Sequence, residues 1–145
     1  MTAQLTPHIS VSPQISPDDV PRLAAAGFVT IINNRPDGEA NDQPPGAEIE
    51  AAAKAAGLRY VAIPVDHAGI GPDQLKAMAE ALAAADGPVL AYCRSGTRST
   101  HLWALAEASR GTDPAGLVSA AAGAGYDIAM MVPVLRQLAA GHAQG

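Results

Sequence analysis

The sequence predicts a single α/β domain over residues 1–145: a three-layer sandwich with a central, mostly parallel sheet of four or five strands and helices on both faces. Three observations carry this. Short runs rich in β-branched residues alternate with helical stretches of about ten residues or more, the pattern of parallel strands joined by right-handed crossovers. The run Val89-Leu90-Ala91 is apolar at consecutive positions, as a strand covered on both faces requires. Polar residues follow three strand ends, at Asn34, Asp66 and Cys93, on the edge where such sheets bind ligands.

The elements follow in order. Ile9 and Val11 alternate with Ser10 and Ser12 and predict a short edge strand. Ser16-Pro17-Asp18-Asp19 starts a helix, with Ser16 as cap and Pro17 in the first position, and Gly27 ends it. Phe28 to Asn33 reads as a buried strand, and Asn34 to Pro45 as a loop rich in Asn, Asp, Gly and Pro. Ala47 to Ala56 forms a helix with Ile49, Ala52, Ala53 and Ala56 on one face. Leu58 to Pro64 is the next strand, and Val65 to Gly71 the loop after it. Pro72 opens a helix carrying Leu75, Met78, Ala79 and Leu82 on one face, and Asp86-Gly87-Pro88 ends it. A strand, a polar loop and a helix from about Ser99 to Arg110 come next, with Trp103 as a core residue. Asp113-Pro114 caps a further helix. The tail from Asp127 to Ala140 is helical in pattern, and Pro133 either kinks it or marks its true start.

Composition narrows the function. A formal net charge of −5 argues against sequence-independent nucleic-acid binding, which runs on surplus Lys and Arg. No apolar run has the length of a membrane span, so no membrane partner is expected. The N-terminus shows neither the basic nor the apolar region of a secretory signal, and a single cysteine suits a reducing compartment, so the chain is expected in the cytoplasm. His8, His101 and His142 have no metal-ligand spacing with one another or with Cys93, and neither metal nor cofactor is expected.

Chemistry concentrates in Cys93-Arg94-Ser95-Gly96-Thr97-Arg98-Ser99. A lone cysteine in an apolar run is usually a small buried hydrophobe. Here the apolar run stops at Cys93, and the next six residues are polar or glycine. A loop between strand and helix turns backbone N–H groups inward, and the helix adds the positive end of its dipole. Arg94 and Arg98 add two positive charges. A thiol so placed should ionise readily, and the thiolate is the nucleophile. Ser95 and Gly96 read as loop formers, with Gly96 supplying a positive φ. Arg35 either binds substrate anions or pairs with Asp37. His101 lies three residues past Arg98 and reads as a partly exposed surface residue.

The loop resembles the active-site loop of single-domain rhodaneses, which move sulfane sulfur through a cysteine persulfide. It also resembles the phosphate loop of cysteine-dependent phosphatases, with one departure. Those enzymes place five residues between cysteine and arginine; here there are four, and Ser99 occupies the expected arginine slot. Phe28 to Pro36 and Tyr60 to Asp66 resemble the strands that precede the loop in dual-specificity phosphatases. The combination is most similar to a bacterial family described as phosphatase-like or as sulfurtransferases, over roughly Ile9 to Tyr126. That resemblance implies a cysteine-phosphatase-like fold. It implies an anion cradle of Arg94, Ser95, Gly96, Thr97, Arg98 and Ser99, with Ser99 or Thr97 bonding the sulfur. It implies a general acid at Asp66, with His67 as the neighbouring alternative. The domain also occurs joined to persulfide-processing hydrolases of the metallo-β-lactamase type, which makes such a hydrolase an expected partner.

Two chemistries follow. In sulfur transfer, Cys93 takes the outer sulfur of thiosulfate or a small persulfide and hands it to a thiol. The short loop favours this reading, and sulfite leaves without a proton donor. In phosphate-ester hydrolysis, Cys93 attacks phosphorus, Asp66 protonates the leaving alcohol and water cleaves the thiophosphate. The strand resemblance and Asp66 favour this one. The sequence reading leans to sulfur transfer. A third reading, from another class, is a non-catalytic anion-binding or redox-sensing module built on the same loop.

Overall fold

Alternation along each strand builds the sheet. The computed structural model describes residues 2–144. Strands β1 (Ala3–Thr6), β2 (Ile9–Ser12), β3 (Thr30–Asn33), β4 (Arg59–Ala62) and β5 (Val89–Tyr92) form one sheet in the order β1-β2-β5-β3-β4. β5 pairs in parallel with β2 and β3, and β3 in parallel with β4; β1 alone is antiparallel, in a hairpin with β2. Helix α1 is Val20–Ala25, α2 Gly46–Ala55, α3 Pro72–Ala84, α4 Thr97–Ser109, α5 Pro114–Gly123 and α6 Val132–Gln144.

In β5 every residue is buried, and successive side chains enter opposite layers. Leu90 and Tyr92 join Ile31 in a core with Val20 and Leu23 of α1 and Ile49 and Ala53 of α2. Val89 and Ala91 join Val11 and Ile32 in the larger core with Met78 of α3, Leu102 and Trp103 of α4, Leu117 of α5 and Leu135 of α6. Helices therefore cover both faces, as the continuous apolar run requires.

The structure moves several boundaries. β1 was not predicted: Leu5 is its one buried side chain, and its pairing comes from the hairpin with β2. The first helix is split into a 3-10 turn, Pro17–Asp19, and then α1. Val20 N–H bonds the Pro17 carbonyl in 3-10 fashion, and Pro21 has no N–H to offer the same carbonyl an α-helical bond. The Asp19 carboxylate caps this end, accepting from Ser16 N–H at 2.8 Å. α4 starts at Thr97, two residues before the predicted Ser99, because Gly96 serves as its cap at φ +91°. Pro133 marks a start and not a kink: it is the second residue of α6, where a missing N–H costs nothing. No helix among the described residues is long and apolar enough to cross a membrane.

The parallel strands end level. Ser12 lies opposite Tyr92, Tyr92 opposite Asn33, and Asn33 opposite Ala62. Cys93, Asn34 and Ile63 are the next residues out, at the carboxyl rim of the sheet.

Candidate active site

The rim is held by backbone bonds that extend the ladders past the strands. Asn34 N–H donates to the Tyr92 carbonyl at 2.8 Å, and Val65 N–H to the Asn34 carbonyl at 2.9 Å. Cys93 is fully buried at the end of β5. Its loop turns at once into α4, and Gly96 N–H donates to Cys93 Sγ at 3.1 Å. The first turn of α4 thus presents the positive end of a helix dipole toward the sulfur. The Gly96 carbonyl accepts both the backbone N–H of Thr100 at 3.0 Å and its hydroxyl at 2.8 Å, which pins the loop from the helix side.

Arg98 reaches across the rim. Its Nη1 and Nη2 donate to the two Glu39 carboxylate oxygens at 2.8 Å each, a bidentate fork, and Nη1 also donates to the Val65 carbonyl at 2.7 Å. Glu39 is shared with Arg35, whose Nε donates to Oε1 at 3.0 Å and whose Nη1 donates to Gln14 Oε1 at 3.1 Å. The hydrogen bonds from Arg98, and then those from Arg35, pull the Glu39 carboxyl down to about 2 against partial burial. Those same bonds to Glu39 hold Arg98 protonated above the ordinary arginine value, with a smaller push from nearby Cys93.

The predicted site residues separate into two groups. Cys93, Gly96 and Ser99 are buried, and Arg98 is half-buried. Arg94, Ser95 and Thr97 are exposed, and the Ser95 hydroxyl donates to Thr97 Oγ1 at 3.0 Å. The Ser99 hydroxyl, expected on the sulfur, donates to Asn34 Oδ1 at 2.8 Å, while Asn34 Nδ2 holds the Ile63 carbonyl at 2.9 Å. Ser99 is thereby a brace between α4 and the ends of β3 and β4. Arg35 is buried and pairs with Glu39 instead of Asp37. Asp66 is exposed, and its Oδ1 accepts Ala68 N–H at 2.9 Å within the turn. It directly follows Val65, whose carbonyl Arg98 holds. His67 is exposed beside it. His101 is half-buried, and burial pushes its imidazole down.

Two residues escaped the sequence. Glu39 stands in a polar loop among other acids, 59 positions from Arg98, with no spacing signal. Tyr126 follows α5, and its hydroxyl donates to the Ser95 carbonyl at 2.9 Å. Burial first, and then the neighbouring Cys93, raises its phenol above the ordinary tyrosine value.

Comparison with known proteins agrees with this architecture. Residues 2–110 match the family described as beta-lactamase hydrolase-like protein, phosphatase-like domain. The beta-lactamase hydrolase-like protein of Xylella fastidiosa is 37% identical over 133 residues, 91% of this chain and 31% of that protein. The chain spans about a quarter to a third of the length of the curated relatives it matches. A Neisseria meningitidis crystal structure, described as a candidate phosphatase, superposes with a TM-score of 0.80 at 32% identity, covering 94% of this chain and 96% of that one. PTPMT1 superposes with a TM-score of 0.75 at 15% identity, covering 99% and 97%, and shares the fold.

Proposed function

The chain belongs to the family of the beta-lactamase hydrolase-like protein, phosphatase-like domain, and on that premise we propose that it is a cysteine-dependent enzyme hydrolysing a small phosphate ester. The observation that carries the proposal is the joining of three parts at one rim. The Gly96 N–H meets Cys93 Sγ at 3.1 Å, and Arg98 beside it holds the Val65 carbonyl, the residue just before Asp66. Nucleophile, anion-binding cation and acid-bearing loop are thus tied together.

The Cys93 thiolate attacks phosphorus, the P–O bond to the alcohol breaks, and Asp66 supplies the proton to the leaving oxygen. Water then cleaves the thiophosphate, returning inorganic phosphate and the thiolate. Loop amides and Arg98 stabilise charge on the equatorial oxygens. The phosphatase description of the Neisseria structure supports this chemistry over sulfur transfer.

Sulfur transfer is the second reading, and one specific observation favours it: only four residues separate Cys93 from Arg98, so the cradle is a residue shorter than a phosphatase loop. In that reaction the thiolate takes the outer sulfur of thiosulfate and releases sulfite. A thiol acceptor then carries the sulfur away, toward a persulfide-processing hydrolase. The deciding experiment is intact-mass spectrometry of the single-cysteine chain after incubation with an aryl phosphate or with thiosulfate, alongside turnover of both. The proposal expects aryl phosphate turnover that Cys93→Ser abolishes. A sulfur adduct on Cys93 with no phosphatase turnover would replace it by the second reading. No turnover of either substrate would leave the anion-binding module.

A further inference from the structure

The Ser95 carbonyl and the Gly96 N–H belong to one peptide unit. Its N–H donates to Cys93 Sγ at 3.1 Å, and its carbonyl accepts from Tyr126 Oη at 2.9 Å. A trans peptide points these groups in opposite directions, so fixing the oxygen aims the hydrogen. The unit needs such fixing. Gly96 sits at φ +91°, and glycine has more rotational freedom than any other residue, with no side chain of its own to fix this plane. The Tyr126 hydroxyl also fills the space beside Gly96: a Cβ added there would overlap it and lie 3.0 Å from Cζ. On the helix side Thr100 already holds the Gly96 carbonyl, so Tyr126 closes the remaining freedom.

We propose that Tyr126 is a positioning residue for the Cys93 thiolate: by holding the Ser95 carbonyl it keeps the Gly96 N–H aimed at the sulfur and polarises that peptide toward it. The hydrogen bond to the carbonyl increases the positive character of the N–H at the other end of the same unit. Partial burial raises the phenol above the ordinary tyrosine value, which favours the protonated, donating form. Tyr126 comes from the segment after α5 and touches no reacting atom in this scheme. The inference rests on the reading of Cys93 as a thiolate nucleophile and holds for phosphoryl or sulfur transfer alike.

The chain has one cysteine, so alkylation by iodoacetamide and the ultraviolet thiolate absorbance both report Cys93 alone. Tyr126→Phe keeps the ring and removes the donor. At fixed neutral pH the alkylation rate and the thiolate absorbance should both fall, the rate by about 3- to 10-fold. With whichever substrate is turned over, kcat should fall roughly 5- to 20-fold while KM stays within about twofold, a fraction of the cost of deleting such a donor outright. Site-specific 3-fluorotyrosine at position 126, a stronger donor of nearly the same size, should hold the rate at or above wild type. Unchanged alkylation and kcat in Tyr126→Phe would overturn the inference. So would a loss with 3-fluorotyrosine equal to that with phenylalanine, which would assign the effect to packing. Full activity in Cys93→Ser would instead sink the thiolate reading, so the two failures are distinguishable.

Discussion

Replacing Glu39 by glutamine tests whether the rim is held by charge. The carboxylate carries a bidentate pair with Arg98 and a third bond from buried Arg35, and these pull its carboxyl from the ordinary 4.5 to about 2. At about 1.4 kcal/mol per pH unit, an unscreened shift of that size corresponds to roughly 3 kcal/mol. The Glu39 side chain is 28% exposed, and solvent screening brings the stability contribution to about 1–2 kcal/mol. Because the folded-state value is depressed, this contribution is complete above the unfolded value near 4.5 and disappears as pH falls through about 2. Urea unfolding of wild type and Glu39→Gln should therefore differ by about 1–2 kcal/mol at pH 7, with the gap closing between about pH 5 and pH 2. A gap that is absent at pH 7, or that does not change with pH, would refute the charge argument. The same variant leaves the Arg98 fork without its carboxylate, so kcat/KM should fall by about tenfold through loss of its fixed geometry.

Three further predictions are independent of that one. Asp66→Asn should lower aryl phosphatase kcat/KM by roughly tenfold or more while leaving any thiosulfate sulfurtransfer within about threefold; equal losses in both would remove Asp66 from the acid role. Gly96→Ala should cost about 2–4 kcal/mol in chemical denaturation, combining a positive φ that L-residues resist with overlap on Tyr126, and Tyr126→Phe should relieve only part of it because the ring carbon stays too close. Tyr92→Phe should change stability by no more than about 1 kcal/mol, since the buried Tyr92 hydroxyl makes no well-formed hydrogen bond and only approaches Gln14 and Tyr60; a larger loss, read by thermal or urea melts, would show that one of these contacts holds it.

Much of the architecture is local in origin and was legible in the residues. The apolar run Val89 to Ala91 dictates a strand covered on both faces, and Leu90 and Ala91 do enter opposite cores. Helical spacing placed Met78, Leu102 and Trp103 in the core, where they are buried. Polar residues after strand ends put Cys93 and Asn34 on one rim, because parallel strands in register end level; Asp66, expected just past a strand end, lies beyond Ile63, Pro64 and Val65, because β4 stops at Ala62. The loop Cys93 to Arg98 was recognisable because its glycine, its hydroxyls and its two arginines are contiguous. Boundaries set by hydrogen-bond competition were less legible: Pro21 splits the first helix, and Gly96 starts α4 early. β1 depends on pairing with β2 and carries little pattern of its own. What only the tertiary structure decided is the partner of each polar side chain at the rim. Arg98 meets Glu39 across 59 residues, Ser99 meets Asn34 across 65, and Tyr126 meets the Ser95 carbonyl across 31. Sequence periodicity specifies which face a residue occupies, a short-range property of backbone geometry. It carries no record of which distant loop closes over that face, because the closure follows from packing all the layers at once.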